Sequence, residues 1–488
     1  MAPVVSGERL FEVPEVVEVG GEVIPRLGVE KRFRAYDPHQ VLLMAPSLDD
    51  WLPEDHLARF VSELVETVLD LEPFRAGYTE ASGAPPYDPR LMLKLLVYGY
   101  ATGVTSSRAI ERRCVTDVAF RFLAANAAPD YRSIARFRRR HLEAVRALFN
   151  QSVVLCAEAG LVKLGRIAVD GTKVRASASR HKAMSYDRLV VREAEIAAQV
   201  DALLEEADRI DREEDERFGV DRRGDELPEE LRTREGRLAK LRAAKAALEA
   251  EAAARAAQEA AERATARGDD EATVRAKAAQ AAERATPKPK AQRNFTDPES
   301  RIMKTSDGSF HQCFNGQVAV DATAQVIVGL AMTNTAPDVG HLVELVDQVA
   351  DRCDQAPRQV VADAGYWSET NAAELTERTI DAFIATGRLK HGQIIPPAPR
   401  GRIPAAATPK ERMARKLRTK KGRAVYARRK AIVEPVFGQM RTRQDAGRAR
   451  LRGLTGAQGE WTLHGFCHNI HKLFTRHGVA ALPAATAD

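Results

Sequence analysis

Two short apolar runs, each closed by an aspartate with glycine behind it, constrain this chain more than any other feature. The first is Arg166-Ile-Ala-Val-Asp170-Gly171-Thr172; the second is Gln359-Val-Val-Ala-Asp363-Ala-Gly365-Tyr366. Both read as buried strands. An acid at the end of such a strand points at a cleft edge, and the glycine leaves little bulk to block a ligand. A third acid, Glu434, lies in the basic segment Tyr426-Ala-Arg-Arg-Lys-Ala-Ile-Val-Glu434-Pro-Val-Phe-Gly438. Three such carboxylates can hold two Mg²⁺ ions roughly 3.5–4 Å apart for phosphodiester chemistry. Taken singly, an aspartate at a strand end is more often a turn or helix-cap residue.

The 488 residues have room for two or three domains, and 44% hydrophobic content supports real cores. Net charge is only +6 at a pI near 9.0, but basic residues cluster. Lys410 to Lys430 holds eleven Lys or Arg and one acid, Glu411. Such clustering suits a polyanionic partner; the plainer alternative is a solvated face. The five cysteines are widely spaced and form no CxxC pair. That argues against a disulfide framework or a cysteine zinc site and fits a reducing cytosol. No apolar run is long enough for a membrane span. The acidic N-terminus, Met1 to Glu22, does not read as a signal peptide.

Residues 1–40 read as an irregular arm and 41–165 as a helical domain. Asp88-Pro89 starts one helix, and a later one is expected over Ser133–Glu143. On it Arg132, Arg136, Arg139 and Arg140 lie largely away from the apolar stripe of Ile134 and Phe137. That helix is either the second helix of a helix-turn-helix DNA reader or an amphipathic helix with a solvated basic face. Residues 182–290 are rich in Ala, Glu, Arg and Lys, with Leu231, Leu238 and Lys245 seven apart, as are Arg234, Leu241 and Leu248. This block reads as a helical, coiled-coil-like insertion, with a low-complexity tail over Ala250–Thr286. Strands return at Phe310–Val320 and Ala324–Met332, turning at Asp321. A helix over His341–Cys353, the Asp363 strand, a Ser368-capped helix and a strand over Ile380–Ala385 follow. A basic loop over 391–423 then leads to the Glu434 segment and a last helix, Gly459–Arg476. Residues 166–181 and 295–480 together make an α/β domain with a mixed sheet. Pro435 disfavours helical geometry at Glu434, so a helix either kinks there or begins there. His464, Cys467, His468 and His471 have helical spacing that a transition metal could use, but core packing explains them better. Asp338 and His341 follow the second strand of the pair and either approach the acids or cap a helix.

The order and setting of the three acids resemble those of DDE transposases of bacterial insertion sequences. Tyr87-Asp-Pro-Arg-Leu-Met-Leu-Lys-Leu-Leu-Val-Tyr-Gly-Tyr100 through Phe137-Arg-Arg-Arg-His-Leu142 is similar to that family's helical DNA-binding region. Ala168-Val-Asp170-Gly-Thr-Lys-Val-Arg-Ala176, Phe314-Asn315-Gly-Gln317, Val361-Ala-Asp363-Ala-Gly-Tyr366, Val433-Glu434-Pro-Val-Phe-Gly438 and His468-Asn469 resemble its core segments.

The resemblance implies an RNase H-like mixed sheet with helices, beside an all-α N-terminal DNA-binding domain and the helical insertion. It implies that Asp170, Asp363 and Glu434 hold two Mg²⁺, with Mn²⁺ able to substitute, and cut and join DNA. The family's Glu segment often carries a Tyr, an Arg, the Glu and a basic residue at fixed intervals. Tyr426 leads here and Arg441 stands where Lys is common; Arg429 fits the Tyr spacing, while Lys430 would share a helix face with Glu434. Arg136, Arg139, Arg140, Tyr426, Arg429, Lys430 and Arg441 are therefore the expected DNA contacts. Expected partners are double-stranded DNA, as element ends and target, and further copies of the chain in a homodimer or higher oligomer. A cytoplasmic, nucleoid-associated location is expected. Two other functions stay open: a defective or domesticated relative that binds DNA without cutting, and an RNase H-like nuclease without strand transfer.

Overall fold

The computed structural model describes residues 16–19, 22–25, 47–76, 78, 85–178, 183–218, 229–387 and 396–478. The chain divides into two compact units, 1–47 and 48–488. In the first, β1 (Val16–Val19) and β2 (Glu22–Pro25) pair antiparallel within the stretch expected to be irregular. Valine-rich runs on either side of Gly20-Gly21 carry a hairpin signal that the composition of the arm obscures.

The second unit opens with helices α1 (Leu57–Glu63), α2 (Glu72–Arg75), α3 (Pro89–Ala101), α4 (Ser107–Thr116), α5 (Val118–Leu123), α6 (Tyr131–Arg140) and α7 (Leu142–Glu158). α3 begins at Asp88-Pro89 as expected, where the Asp88 carboxylate accepts the Arg90 N–H at 2.8 Å. The single helix expected over Ser133–Glu143 is two: Asp130 caps α6, and His141 turns the chain into α7.

β3 (Ile167–Arg175) starts the sheet. The insertion leaves through β4 (Ala183–Ser185), climbs α8 (Tyr186–Phe218), descends α9 (Glu229–Ala266), folds back in α10 (Glu271–Glu283) and rejoins through β5 (Gln292–Asn294). β4 and β5 pair antiparallel, Ser185 against Gln292, and close the neck. Leu238, Leu241 and Leu248 of the heptad pattern are buried against Leu189, Ile196 and Val200 of α8, whereas Lys245 pairs with Glu193 at 2.9 Å. The low-complexity tail is helical: α10 lies along α9.

β6 (Arg301–Lys304), β7 (Phe310–Asp321) and β8 (Ile327–Thr333) follow, then α11 (Leu342–Cys353), β9 (Gln359–Ala362), α12 (Glu369–Glu377) and β10 (Asp381–Ile384). The main sheet runs β10-β9-β3-β7, with β6 and β8 both on the far side of β7. β7 is antiparallel to β3 along all nine residues of that strand; β9 and β10 are parallel neighbours on its other flank.

The segment expected to be a basic loop contains two helices, α13 (Pro409–Arg418) and α14 (Lys420–Ala427). Thr408 and Glu411 form a reciprocal capping box around Pro409, enough to start a helix in spite of the charge density. α15 (Arg429–Gln444) and α16 (Leu454–His477) end the unit. α16 packs on α3, α7 and β8. One apolar cluster, holding Phe60, Phe149, Phe314 and Phe466, joins the early helices to the sheet. Among the described residues no helix is long and apolar enough to cross a membrane.

Pro435 lies inside α15, neither at its start nor at its end. Proline has no N–H, so the carbonyl four residues back loses its helical donor. That carbonyl belongs to Ala431, and the Gln325 side-chain amide donates to it at 2.9 Å. Gln325 holds a left-handed backbone (φ 61°) at the β7–β8 turn. Its own carbonyl meets His468 Nε2 at 2.9 Å, and its Oε1 accepts from Lys472 Nζ at 2.9 Å. One turn residue thus fastens α15 to α16.

Candidate active site

β3 and β9 run parallel, with Ala168 beside Val361 and Val169 beside Ala362. One step further along each strand come Asp170 and Asp363, which the register therefore makes neighbours. β9 ends there: Asp363 caps the turn Ala364–Tyr366 and accepts the Gly365 N–H at 2.7 Å. β3 runs on past Asp170, because β7 continues to pair with it as far as Arg175.

Asp170 is largely enclosed, its side chain 19% exposed. Its Oδ1 accepts the Gly171 N–H at 2.9 Å, and its Oδ2 accepts Arg429 Nη1 at 2.6 Å. Burial pushes the carboxyl above its ordinary pKa; Arg429 and the Gly171 N–H oppose this, and Asp363 adds to it. Burial, the largest single influence, would lower Arg429, but Asp170, Tyr426 and Asp363 together outweigh it and raise the guanidinium. Tyr426 is also raised, first by burial, with Arg429 opposing and both Asp363 and Asp170 adding. Tyr426, Arg429, Asp170 and Asp363 thus form one electrostatic group. Lys430 faces outward, 3.9 Å from Glu434, and both of those side chains are exposed.

Glu434 lies on the helical wall of an open cleft of about 410 Å³, whose lining includes Asp170, Lys173, Phe437 and Arg441. Arg441 donates to the Thr172 hydroxyl across that cleft. A further acid belongs here. Asp338 caps nothing with its side chain; its Oδ1 accepts from Asn315 at 2.7 Å and Gln317 at 2.8 Å, with Lys173 Nζ at 3.4 Å. Gln317 in turn accepts from the buried Tyr366 hydroxyl. A Cβ on Gly171 would lie 2.5 Å from Gln317 Nε2, and one on Gly365 would lie 3.0 Å from Asp363 Oδ1 and 3.2 Å from Asp338 Oδ2. The glycines behind the two aspartates therefore make room for this network. In sequence, Asp338 carried only its position after the β7–β8 pair.

The donor chemistry fits a hard divalent ion: two adjacent carboxylates, with Glu434 on the same cleft as Asp170. Among the described residues, however, no three His, Cys, Asp or Glu side chains are already gathered to hold a metal. Arg429 engages one oxygen of Asp170. His464 and His468 of α16 are core residues: burial lowers both to about 3, and His468 is tied to the Gln325 carbonyl. Arg136, Arg139 and Arg140 are exposed on α6 and do not line the cleft. The Arg140 guanidinium lies 4.4 Å from the Tyr78 ring centre. Between Arg136 and Arg139, Arg138 is buried, and it reaches Tyr100 and Glu460.

Residues 46–140 match the family profile described as Transposase domain (DUF772), and residues 276–470 match the profile described as Transposase DDE domain. The second span includes Asp338, Asp363 and Glu434; Asp170 precedes it, on the other side of the insertion. No curated protein and no solved structure matches the chain. A DDE domain implies an RNase H-like fold and work with divalent metal ions. With its mixed sheet, helical N-terminal region and two matched transposase domains, the chain belongs to the DDE-class transposases of the insertion-sequence type.

Proposed function

We propose that the protein binds the terminal inverted repeats of an insertion sequence and catalyses metal-dependent phosphodiester hydrolysis and strand transfer. The observation that carries this reading is the β3–β9 register, which makes Asp170 and Asp363 neighbours. Asp170, Asp363 and Glu434 would hold two Mg²⁺, for which Mn²⁺ substitutes. Ions bound there supply a water of lowered pKa and charge stabilisation for the leaving 3′ oxygen.

The chain's own groups do the rest. Arg429 holds Asp170 in one orientation, and Tyr426 packs beside Arg429. Arg441, tied to Thr172, brings a guanidinium fork to the cleft, a shape suited to phosphate. Lys430 adds charge beside Glu434. Arg136, Arg139 and Arg140 engage duplex DNA from α6, and two or more protomers act on paired ends in the nucleoid. The Arg429–Asp170 ion pair favours one rival, a relative that binds the ends without cutting.

The test is a cleavage and strand-transfer assay with Mg²⁺ on the DNA flanking the gene, comparing wild type with Asp170→Ala, Asp363→Ala and Glu434→Ala. Wild type should nick the ends and join them to target, and each variant should bind but not cut. An inert wild type that still binds would establish the rival. Nicking without joined products would leave a nuclease.

A further inference from the structure

The segment between α15 and α16 alternates Arg448-Ala449-Arg450-Leu451-Arg452, with the arginines exposed and Ala449 and Leu451 buried. Its backbone is fastened at several points. Arg175, the last residue of β3, donates its N–H to Gly447 O at 3.0 Å and accepts from Ala449 N at 2.8 Å. The buried Glu460 carboxylate accepts the N–H groups of Arg450 at 2.6 Å and Leu451 at 2.8 Å. Asp297 accepts the Gly453 N–H at 3.2 Å. Glu460 also accepts from the Tyr100 hydroxyl at 2.7 Å, and Arg138 of α6 donates to that hydroxyl at 2.7 Å. The loop and α6 are therefore anchored to one buried group, Arg138 inward and Arg139 outward.

The exposed side chains converge. Arg139, Arg450 and Arg452 line one surface depression; Arg112 and Arg113 of α4 and Arg450 line the next. Arg450 forms a surface ion pair with the half-exposed Asp445. Exposed pairs of this kind contribute little and yield readily to a better anion. Guanidinium groups fit phosphate oxygens in a bidentate fashion, and pre-fixed arginines lose less freedom on binding.

Resting on the transposase reading, we propose that Arg448, Arg450 and Arg452, continued by Arg139 and Arg112, form a phosphate track that carries duplex DNA toward the catalytic cleft. β3 links the two places: Arg175 touches the loop, and Asp170 lies five residues up the same strand, about 17 Å away. That is roughly five base pairs of duplex.

The test uses the full chain, a fluorescein-labelled duplex of the DNA flanking its own gene, and anisotropy titrations across a salt series. In the triple variant Arg448→Gln, Arg450→Gln and Arg452→Gln, the slope of log K against log salt should become shallower by about three. The corresponding triple change to Lys should keep the slope, which separates lost charge from lost folding. A control with equal charge loss on the insertion, Arg263→Gln, Arg275→Gln and Arg284→Gln, should bind as wild type does. An unchanged slope in the loop variant, or an equal loss in the control, overturns the track alone. A wild type that binds no duplex at low salt overturns the track and the transposase reading together.

Discussion

The two walls of the cleft are built by different means. On the sheet wall, Asp170 and Asp363 are made neighbours by main-chain pairing of β3 with β9, which no single side chain controls. On the helix wall, Glu434 and Arg441 ride on α15, and that helix is held by side chains: Gln325 on Ala431 O, Arg429 on Asp170 and Arg441 on Thr172. Backbone pairing gives rigid placement that tolerates substitution. Side-chain fastening gives placement that one mutation can loosen. The first pair of carboxylates is thus preset, whereas the third depends on the contacts of a few single side chains.

The largest effect should separate the walls directly. Asp170→Asn or Asp363→Asn should lower the cleavage rate by about 10³-fold or more, since each loss removes a carboxylate from the donor set. DNA binding should persist, and Asp363→Asn should keep its melting temperature, whereas Asp170→Asn also leaves the largely buried Arg429 guanidinium without its partner. An Asp363→Asn variant whose melting temperature collapses would mean that the sheet wall is not held by its backbone.

An effect of comparable free energy, on stability instead of rate, is expected away from the cleft. Arg138→Met leaves the Glu460 carboxylate buried, with its guanidinium partner at 3.5 Å removed. The expected cost is about 3–5 kcal/mol in denaturant unfolding. A change within error would show that Tyr100 and the loop amides satisfy Glu460 alone.

Acid should act on the helix wall next. Unfolded histidines take up protons near pH 6.5, but buried His464 and His468 do so only at about 3. Between those values the unfolded chain binds more protons, so stability is full above pH 6.5 and falls as pH drops. At pH 5 the loss is about 2 kcal/mol per histidine. Melting curves from pH 7 to 5 should show this, and His468→Gln should flatten the dependence. An unaltered pH profile in that variant would remove His468 from the account.

The smallest effect is the most local. Gln325→Ala should cost about 1 kcal/mol by leaving Ala431 O without a donor. Pro435→Ala restores the helical N–H, so in that background the same change should cost markedly less. Additive effects in this double-mutant cycle would break the link between the proline and the glutamine.

The sheet wall was the legible one. Asp170 and Asp363 announced themselves because a buried strand has a simple apolar signature, and Ser368 and the Asp88-Pro89 step read correctly because caps are local chemistry. The β7–β8 pair and the final helix were legible for the same reason. What stayed hidden was set by partners distant in sequence. Pro435 argues locally against a helix interior, and only Gln325, more than a hundred residues earlier, makes it acceptable there. Arg138 is one of three consecutive arginines, and nothing local marks it as the buried one. Asp338 needed Asn315 and Gln317 to reveal its place. The helices within the basic segment are a different case: the Thr408–Glu411 box is local chemistry, but it lies in a Pro-rich, strongly basic stretch that reads as a loop.

The insertion leaves and rejoins the chain at one point, the three-residue ladder of β4 with β5. α8, α9 and α10 lie beyond that closure, with Glu251 of α9 also meeting Arg301 of β6, and each doubling of a closed loop adds only about 0.6 kcal/mol of entropy cost. The neck is therefore a natural graft point. A foreign module spliced between Ser185 and Gln292 should be carried while the cleft remains intact.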